Sequence, residues 1–377
     1  MKRPARTPAA VAAAVVATAV ALSACGNDGS STSAQEPAAD SGESASAEDW
    51  EPEFVDGVLQ PLPDGFPSQP ITLLNPAEPD NDDGIYVRHM QEALADISPV
   101  DVRVLDRPDF GSTFGSWSAL EWQAEQRGGD EGQILQVVEI PGSTVDLLST
   151  PVSEEVGASV EMMNTVALTE SAPYIVISRK DAPWGKDFKA MLQWAKDNPG
   201  ELRYVSRGPG AGPDMAFRQY MNEVGVEANI SIGGSHSEQN TIIGAGAGDV
   251  AVTHAAAVTP FIERVEVLAC TTTQTDCTGP WGEAPTAASV LGMDSDMFGV
   301  NRGLVVPEQV PDQHREWLFA LISAVVEDEG YLESRGQVPS LKQDLRDHDD
   351  AVALMEESLT ASRPILEELD LIHPTVQ

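Results

Sequence analysis

Positive charge is scarce in this sequence. Its 377 residues include 22 lysines and arginines against 60 aspartates and glutamates, a formal net charge of −38. A surface this acidic repels nucleic-acid phosphates and anionic lipid headgroups, so nucleic acid and anionic membrane are not expected partners. The acidic residues are spread along the chain, which favours a solubilising or salt-adapted surface over one special acidic patch.

Sequence patterns that mark common active sites are also missing. There is no Gly-x-Ser-x-Gly turn, no phosphate loop ending in Gly-Lys-Ser/Thr, no His-Glu-x-x-His helix and no Cys-x-x-Cys pair. Aspartates are abundant, but no arrangement of them selects a catalytic pair. We therefore expect that the protein is not an enzyme and needs no cofactor.

Only three cysteines occur, and the first has a context of its own. Cys25 follows a basic start and an apolar run over residues 9–22. A membrane-spanning helix needs about 20 apolar residues, so this run is too short to span a membrane. The small residues before the cysteine indicate a bacterial lipoprotein signal. We predict a signal peptide over residues 1–24, with a diacylated Cys25 anchoring the protein to a membrane surface. The alternative is an ordinary secretory signal or a short membrane anchor with a chance cysteine.

The other two cysteines lie close together in a threonine-rich loop. Cys270 and Cys277 are seven positions apart. In an exported protein a disulfide closing this loop is favoured over two free thiols. Without a nearby histidine the pair makes a poor zinc site, and no metal site is predicted.

The segment after the first cysteine has almost no large apolar residue until Trp50 and Phe54. Such a composition cannot bury a core, so we predict that residues 25–65 comprise the lipidated cysteine and a flexible tether. The remaining about 310 residues are enough for two domains of ordinary size.

Beyond the tether, segments with strand and helix character alternate regularly. Strand character is found at residues 71–74, 100–104, 134–140, 174–177, 202–206, 229–232, 250–253, 265–270 and 303–306. Helical spacing of apolar residues lies between them, for example at Tyr86, Met90 and Leu94. This alternation predicts an α/β fold with mostly parallel sheets flanked by helices.

Ligands of such sheets bind beyond the carboxyl ends of the strands, where loops lead into helices. Loops of this kind occur at residues 75–84, 206–214 and 233–238. Small residues allow close approach of a ligand, and the free N–H groups of a helix start favour an anionic group. The candidate ligand-binding residues are Asn75, Glu78, Asp80, Asn81, Asp82, Ser206, Arg207, Gly208, Gly210, Ala211, Gly212, Ser235, His236 and His254. The alternative for each loop is a tight turn without ligand.

Several stretches occur in an informative order, at residues 67–73, 172–177, 198–204, 206–212, 244–250 and 301–307. In order and spacing they resemble the substrate-binding proteins of tripartite tricarboxylate transporters, the Bug family. The resemblance runs from about Phe66 to the C-terminus. It implies a type II Venus-flytrap, or periplasmic-binding-protein, fold with two crossing strands near residues 171–177 and 265–271. One domain would comprise residues 66–170 and 285–377, the other residues 171–284.

The resemblance also implies a function. Family members bind small carboxylates, often through a helix-facing loop from each domain and ordered waters, and deliver them to a two-subunit membrane permease. This protein is therefore expected to be an extracytoplasmic solute-binding lipoprotein, monomeric and held at the outer face of the cytoplasmic membrane. Domain closure would exclude water and strengthen the polar contacts. The alternatives are a ligand-sensing lipoprotein that informs a signalling receptor, and a hydrolase.

The first loop departs from the family pattern. Family members usually have a glycine-rich turn there, similar to Pro-Gly-Gly-Gly-x-Asp, whereas this sequence has Glu78, Asp80, Asn81, Asp82 and Asp83. Four carboxylates repel an anionic ligand, although they suit the helix dipole. The loop is then a solvated acidic turn, a site for the cationic end of a zwitterionic or amine ligand, or a calcium loop. Calcium is disfavoured because aligning Gly84 with the glycine of an EF-hand loop puts Pro79 at the first ligand position and Met90 at the last.

The loop expected to face it carries the opposite charge. Arg207 can hold a carboxylate through two parallel hydrogen bonds, so the two loops together suit a ligand with both charges. Alternatively, Arg207 pairs with Glu78 or Asp82 and only latches the closed cleft. His236, beside a helix start, is a candidate hydrogen-bond donor. His254 is a similar candidate, with a buried structural histidine as its alternative.

Overall fold

The computed structural model describes residues 50–79, 81–110, 115–155, 157–208, 211–271, 277–293 and 299–376. The strands are β1 (Phe54–Val55), β2 (Val58–Leu59), β3 (Ile71–Asn75), β4 (Val102–Asp106), β5 (Ile134–Ile140), β6 (Asn164–Arg179), β7 (Arg203–Ser206), β8 (Asn229–Ile232), β9 (Val250–His254), β10 (Val265–Cys270), β11 (Thr278–Gly279), β12 (Gly282–Glu283), β13 (Gly299–Val306) and β14 (Lys342–Arg346). The helices are α1 (Asp82–Ile97), α2 (Gly115–Ala124), α3 (Arg127–Asp130), α4 (Gly142–Ser149), α5 (Val152–Glu155), α6 (Phe188–Asp197), α7 (Gly212–Glu223), α8 (His236–Gly244), α9 (Ala255–Val258), α10 (Ala287–Leu291), α11 (Asp312–Val326), α12 (Glu329–Arg335) and α13 (His348–Glu368). Over these ranges, no helix is both long enough and apolar enough to cross a bilayer.

Ten of the strands form one mixed sheet. Their order is β4-β3-β5-β13-β6-β9-β7-β8, and β10 and β14 also pair with β6. Strands β4, β3 and β5 form one parallel group, and strands β9, β7 and β8 form another. Parallel strands need crossover connections, and the helices predicted between the strands supply them.

Strand β6 belongs to both halves of this sheet. From Asn164 to Pro173 it pairs antiparallel with β13 and β14, and from Tyr174 to Arg179 it pairs antiparallel with β9 and β10. The sequence pattern predicted only residues 174–177 as a strand here, because polar residues interrupt the preceding part. Those polar residues are nevertheless buried, and Glu170 is among them.

Helices cover both faces of each parallel group. Alternate residues of β5 show this, because Val137 packs with the core beneath α1 and α11, whereas Val138 packs with the core beneath α2 and α13. In the other group Tyr204 faces α6 and α7, and Val205 faces α8 and α9. The α/β architecture expected from the alternating pattern is therefore present, and helices lie on both faces of each parallel group.

The described chain begins with an ordered hairpin. Strands β1 and β2 pair antiparallel, Leu59 and Leu62 are buried, and the indole of Trp317 donates a 2.8 Å hydrogen bond to the carbonyl of Gln60. Residues 50–65 thus differ from the predicted flexible tether, because two leucines are enough to fix the segment to α11. Residues 1–49, including Cys25, lie outside the described ranges.

A disulfide closes the loop after β10. Cys270 and Cys277 are bonded, with their Cα atoms 5.7 Å apart, and both side chains are buried in the core beneath α8 and α9. The two cysteines therefore fasten the segment that leaves β10 to the body of the fold, as the loop composition predicted.

Candidate functional site

The first candidate loop, between β3 and α1, is fixed by its own polar side chains. The buried amide of Asn75 donates to Ala77 O at 3.1 Å and to Asp106 Oδ1 at 2.9 Å, and its oxygen accepts from Ala77 N. Asn81 caps α1 by accepting a 2.8 Å hydrogen bond from Gly84 N. Asn75 and Asn81 therefore shape the loop, since these bonds occupy their polar groups.

The acidic residues that follow turn inward. Glu78 is exposed and Asp80 lies outside the described residues, but Asp82 and Asp83 both reach the buried guanidinium of Arg302 on β13. Arg302 Nη2 lies 2.7 Å from Asp82 Oδ2, and Arg302 Nε lies 2.9 Å from Asp83 Oδ1. The interpretation of this loop as a solvated acidic turn is therefore wrong for Asp82 and Asp83.

Two further carboxylates complete the surroundings of Arg302. Glu139 on β5 accepts a 2.5 Å hydrogen bond from its Nη2, and Glu170 on β6 accepts one of 2.6 Å from its Nη1. Glu170 also binds Arg335 of α12 through both of its oxygens, at 2.7 and 2.9 Å. Arg302, Arg335 and Glu170 are at most 1% exposed, so these ion pairs lie in the protein interior.

The network holds more negative than positive groups. Four carboxyl groups, Asp82, Asp83, Glu139 and Glu170, meet two guanidinium groups, an excess of two negative charges when all are ionised. Burial and the neighbouring Glu139 raise the pKa of Asp83 to about 7, against the opposing effect of Arg302. Burial also acts to raise the pKa of Asp82, but the charge of Arg302 and the adjacent His254 hold it well below its usual range.

Two histidines connect the acidic loop to the other parallel group. His254, at the end of β9, lies with its Nδ1 3.6 Å from Asp82 Oδ2. Its ring is in edge contact with the rings of His236, at 4.3 Å between centroids, and of Tyr174, at 5.1 Å. The residues predicted on separate loops, Asp82, His236 and His254, are therefore brought together.

The second candidate loop, between β7 and α7, is held by a buried serine. Ser206 Oγ donates to Asp214 Oδ1 at 2.5 Å and accepts from Gly208 N at 2.9 Å. A Cβ on Gly212 would lie 2.8 Å from the Tyr174 hydroxyl, so only glycine fits beside that ring. Ala211 precedes α7 without a side-chain cap bond, and Gly210 lies outside the described part of the chain.

The charge of Arg207, on the second loop, acts on His236 of the third loop. Its half-buried side chain makes no ion pair with Glu78 or Asp82 among the described residues, so the latch alternative is not observed there. Its Nε is buried and lacks a hydrogen-bond partner within the same ranges. Burial, then the charges of His254 and Arg207, lower the pKa of His236 well below its usual value.

The third candidate loop, between β8 and α8, leads into the helix through a capping box. The Ser235 hydroxyl accepts from Glu238 N at 3.2 Å, and Ser235 N donates to Glu238 Oε2 at 2.9 Å. These bonds occupy Ser235 on an exposed edge of the loop. Among the described residues of this loop, His236 is the one that has a buried, unpartnered polar atom and also contacts His254.

Twelve buried side-chain polar atoms have no hydrogen-bond partner in the described structure, and three of them belong to candidate residues on different elements: Asp82 Oδ1, Arg207 Nε and His236 Nε2. Buried polar atoms are normally paired, so unpartnered atoms on neighbouring side chains indicate a place where another molecule binds. His254 lies against both Asp82 and His236, and its ring contacts that of Tyr174. A carboxylate, a guanidinium and an imidazole together suit a small polar ligand with complementary groups.

No set of three or more His, Cys, Asp or Glu side chains in the described ranges has an arrangement that would hold a metal ion. Asp82 and Asp83 are instead each engaged by Arg302.

Comparison with known proteins shows the family to which the chain belongs. The family described as the tripartite tricarboxylate transporter family receptor, TctC, matches residues 133–371, which is more than half of the chain. This chain belongs to that receptor family. A UPF0065 protein of Bordetella pertussis is 23% identical over 163 residues, covering 43% of this chain and 47% of that protein. The match thus spans about half the length of that relative.

Solved structures with the same fold include receptors of this family and their relatives. The periplasmic binding protein BugD has a TM-score of 0.66 at 16% identity, covering 81% of this chain and 99% of its own. MatC from Rhodopseudomonas palustris, with bound malate, has a TM-score of 0.62 at 16% identity, covering 80% of this chain and 100% of its own. An R. palustris protein with adipate has a TM-score of 0.66 at 14% identity, covering 81% of this chain and 99% of its own. The predicted two-domain periplasmic-binding-protein fold is confirmed.

Within this receptor, the sequence did not identify the central charged residue. Arg302 is an isolated arginine in β13, a strand that is otherwise apolar or small apart from Asn301, and Glu170 is an isolated carboxylate in buried β6. An ionised residue in a strand buried on both faces is rare without a partner. That pattern was the available signal, but it does not say which carboxylates the arginine meets.

Proposed function

We propose that the protein is an extracytoplasmic solute-binding lipoprotein, which captures a small carboxylate-bearing metabolite for a tripartite tricarboxylate-type transporter. One observation carries the proposal: Asp82 of α1 and His236 of α8 lie against His254 and each has a buried, unpartnered polar atom, as does Arg207 of the β7–α7 loop, whose charge acts on His236. The receptor family and the neighbours with bound malate and adipate support a carboxylate ligand. Arg207 is the group that would hold it.

The domain arrangement belongs to the same proposal. One domain would comprise residues 66–170 and 285–377 and the other residues 171–284, with the site where they meet. Asp82 comes from the first and Arg207, His236 and His254 from the second, so closing the domains assembles the site. A two-subunit permease would then recognise the closed form, because the ligand shifts the population toward it.

A binding assay tests the proposal. In a thermal-shift screen a ligand of the native protein raises the melting temperature, so small carboxylates should do so and carboxamides of the same size should not. Replacing Arg207 by Ala should then weaken binding of the best carboxylate by about 2 kcal/mol or more, measured by calorimetry.

Arg203→Ala is a matched control, because Arg203 lies at the opposite end of β7 and pairs with Asp249. It should leave the affinity unchanged. Equal affinity of the Arg207→Ala variant and the unmodified protein would remove Arg207 from the site. Recovery of the bound compound unchanged after denaturation would distinguish a receptor from the hydrolase alternative.

A further inference from the structure

The hydrogen-bond direction at His236 follows from its neighbour. Gln239 Nε2 donates a 2.8 Å hydrogen bond to Val205 O, so Gln239 Oε1 faces His236 Nδ1 at 3.1 Å. An amide oxygen only accepts, and therefore His236 Nδ1 carries the hydrogen. The Thr253 hydroxyl lies 3.2 Å from the same nitrogen, and its oxygen can accept that hydrogen as well. Because burial keeps the ring neutral, its buried and unpartnered Nε2 is left with a lone pair. This nitrogen accepts a hydrogen bond and donates none.

Asp82 offers a second acceptor close by. Its Oδ2 accepts from Arg302 and lies beside His254, whereas its Oδ1 is buried without a partner among the described residues. The His254 ring contacts the His236 ring and lies beside Asp82, so the two side chains that carry these acceptors adjoin the same histidine. A ligand group that pairs with both acceptors must supply at least two hydrogens.

The surrounding charge selects among possible donors. Four carboxyl groups and two guanidinium groups leave a negative excess around Asp82. A second carboxylate would be repelled here and would leave both acceptors unpaired, which is costly in a buried site. A hydroxyl has one hydrogen for the two acceptors, whereas an ammonium group has three hydrogens and a compensating positive charge.

We propose that the solute carries an ammonium group beside its carboxylate, with the ammonium bound by Asp82 and His236 and the carboxylate held by Arg207. This inference rests on the proposed function of the protein as a carboxylate receptor, and it names the class of ligand as amino carboxylates. Asp82 and His236 are then the residues that determine specificity. The acidic first loop replaces the glycine-rich turn of the family because this end of the ligand is cationic.

Matched series of compounds test the inference. Succinate, malate and aspartate share one carbon skeleton and differ in a hydrogen, a hydroxyl or an ammonium group at one position, as do propionate, lactate and alanine. Each is titrated into the full protein by calorimetry. In the series whose skeleton fits, the amino compound should bind at least about tenfold more tightly than the unsubstituted acid, or about 1.4 kcal/mol.

Two variants locate that preference. Asp82→Asn and Asp83→Asn each remove one charged partner of Arg302, but only Asp82 has an unpartnered oxygen at the site. Asp82→Asn should abolish the preference for the amino compound, and Asp83→Asn should retain it. If Asp82→Asn fails to fold, His236→Phe removes the second acceptor while keeping a ring against His254, and it should reduce the same preference.

The outcomes separate the two proposals. If the unsubstituted acid or the hydroxy acid binds as tightly as the amino compound, the inference is overturned while the carboxylate receptor stands. An unchanged preference in the folded Asp82→Asn variant would also overturn it. If no compound in either series binds, both the amino carboxylate inference and the proposed function for this class of solute fail.

Discussion

Arg302 offsets the repulsion among the four carboxyl groups of one buried network. Its hydrogen bonds reach α1, β5 and β6 at once, so one guanidinium joins three elements. A buried ion pair adds little net stability compared with apolar packing, because both charges lose their hydration. Removing one partner is different, since the remaining charges stay buried without compensation.

We therefore expect Arg302→Met to lower the free energy of unfolding by about 3–5 kcal/mol, because it leaves buried carboxylates unpaired. Urea denaturation measures the change. Arg346→Met is the control, since Arg346 pairs with the partly exposed Asp344, and such a pair contributes about 0–1 kcal/mol. Similar losses for the two variants would show that the network is not critical for stability.

The raised pKa of Asp83 makes stability depend on pH. The folded protein holds this proton more tightly than the unfolded chain, so the resulting stability is fully present below the unfolded pKa, near 3.8. It is lost as the pH rises through the folded pKa of about 7.

Asp83→Asn should accordingly show a smaller loss of stability over this pH range than the unmodified protein does. Denaturant titrations at several pH values give the slope of the free energy of unfolding against pH for each protein. Equal slopes would mean that the pKa of Asp83 is the same in the folded and unfolded states.

At the level of elements, the start of α1 depends on a close backbone approach. A Cβ on Gly84 would lie 2.3 Å from the carbonyl oxygen of Pro79, which belongs to the loop that carries the acidic residues. The loop folds back over the first turn of the helix, where Asn81 caps Gly84 N. The glycine thereby sets the direction in which Asp82 and Asp83 point.

We expect Gly84→Ala to displace this loop and to destabilise the protein by about 1–3 kcal/mol, through the overpacking that the added methyl causes. It should also weaken binding of the preferred solute in calorimetry, since Asp82 moves with the loop. At Gly142, the first residue of α4, a Cβ would meet nothing within 4 Å. Gly142→Ala should therefore be close to neutral or slightly stabilising, and equal effects of both changes would contradict the steric explanation.

For the whole molecule, the proposed anchor and the binding fold are separate features. The candidate ligand-binding residues all lie in the part of the chain from Trp50 onward, whereas Cys25 lies in the preceding 49 residues. Membrane attachment and solute binding should therefore respond to different substitutions.

Cys25→Ala is expected to release the protein from the membrane fraction of expressing cells and to leave the solute affinity unchanged, because acyl chains alone supply the attachment. Fractionation and mass spectrometry of the N-terminus measure this. The double variant Cys270→Ala/Cys277→Ala should stay with the membrane. Membrane association that persists after Cys25→Ala would indicate a different form of attachment.

Much of this organisation follows from local sequence. The alternation of segments predicted the α/β class, and the capping box at Ser235 and the end of α6 at Asn198 each depend on a few neighbouring residues. Long β6 was predicted only in part. Its buried polar residues find partners far away in the chain, and a periodic pattern cannot register such partners.

The sequence by itself determined the secondary-structure order, the family resemblance and the loops that border the site, because these depend on residues within one segment. Only the tertiary structure decided that Asp82 and Asp83 turn inward. Their partner Arg302 is about 220 positions away, and hydrogen bonds over 132 to 220 positions assemble the network. The direction of the three unpartnered atoms likewise depends on how the elements pack, and that packing turns an acidic loop into a candidate site for a cation.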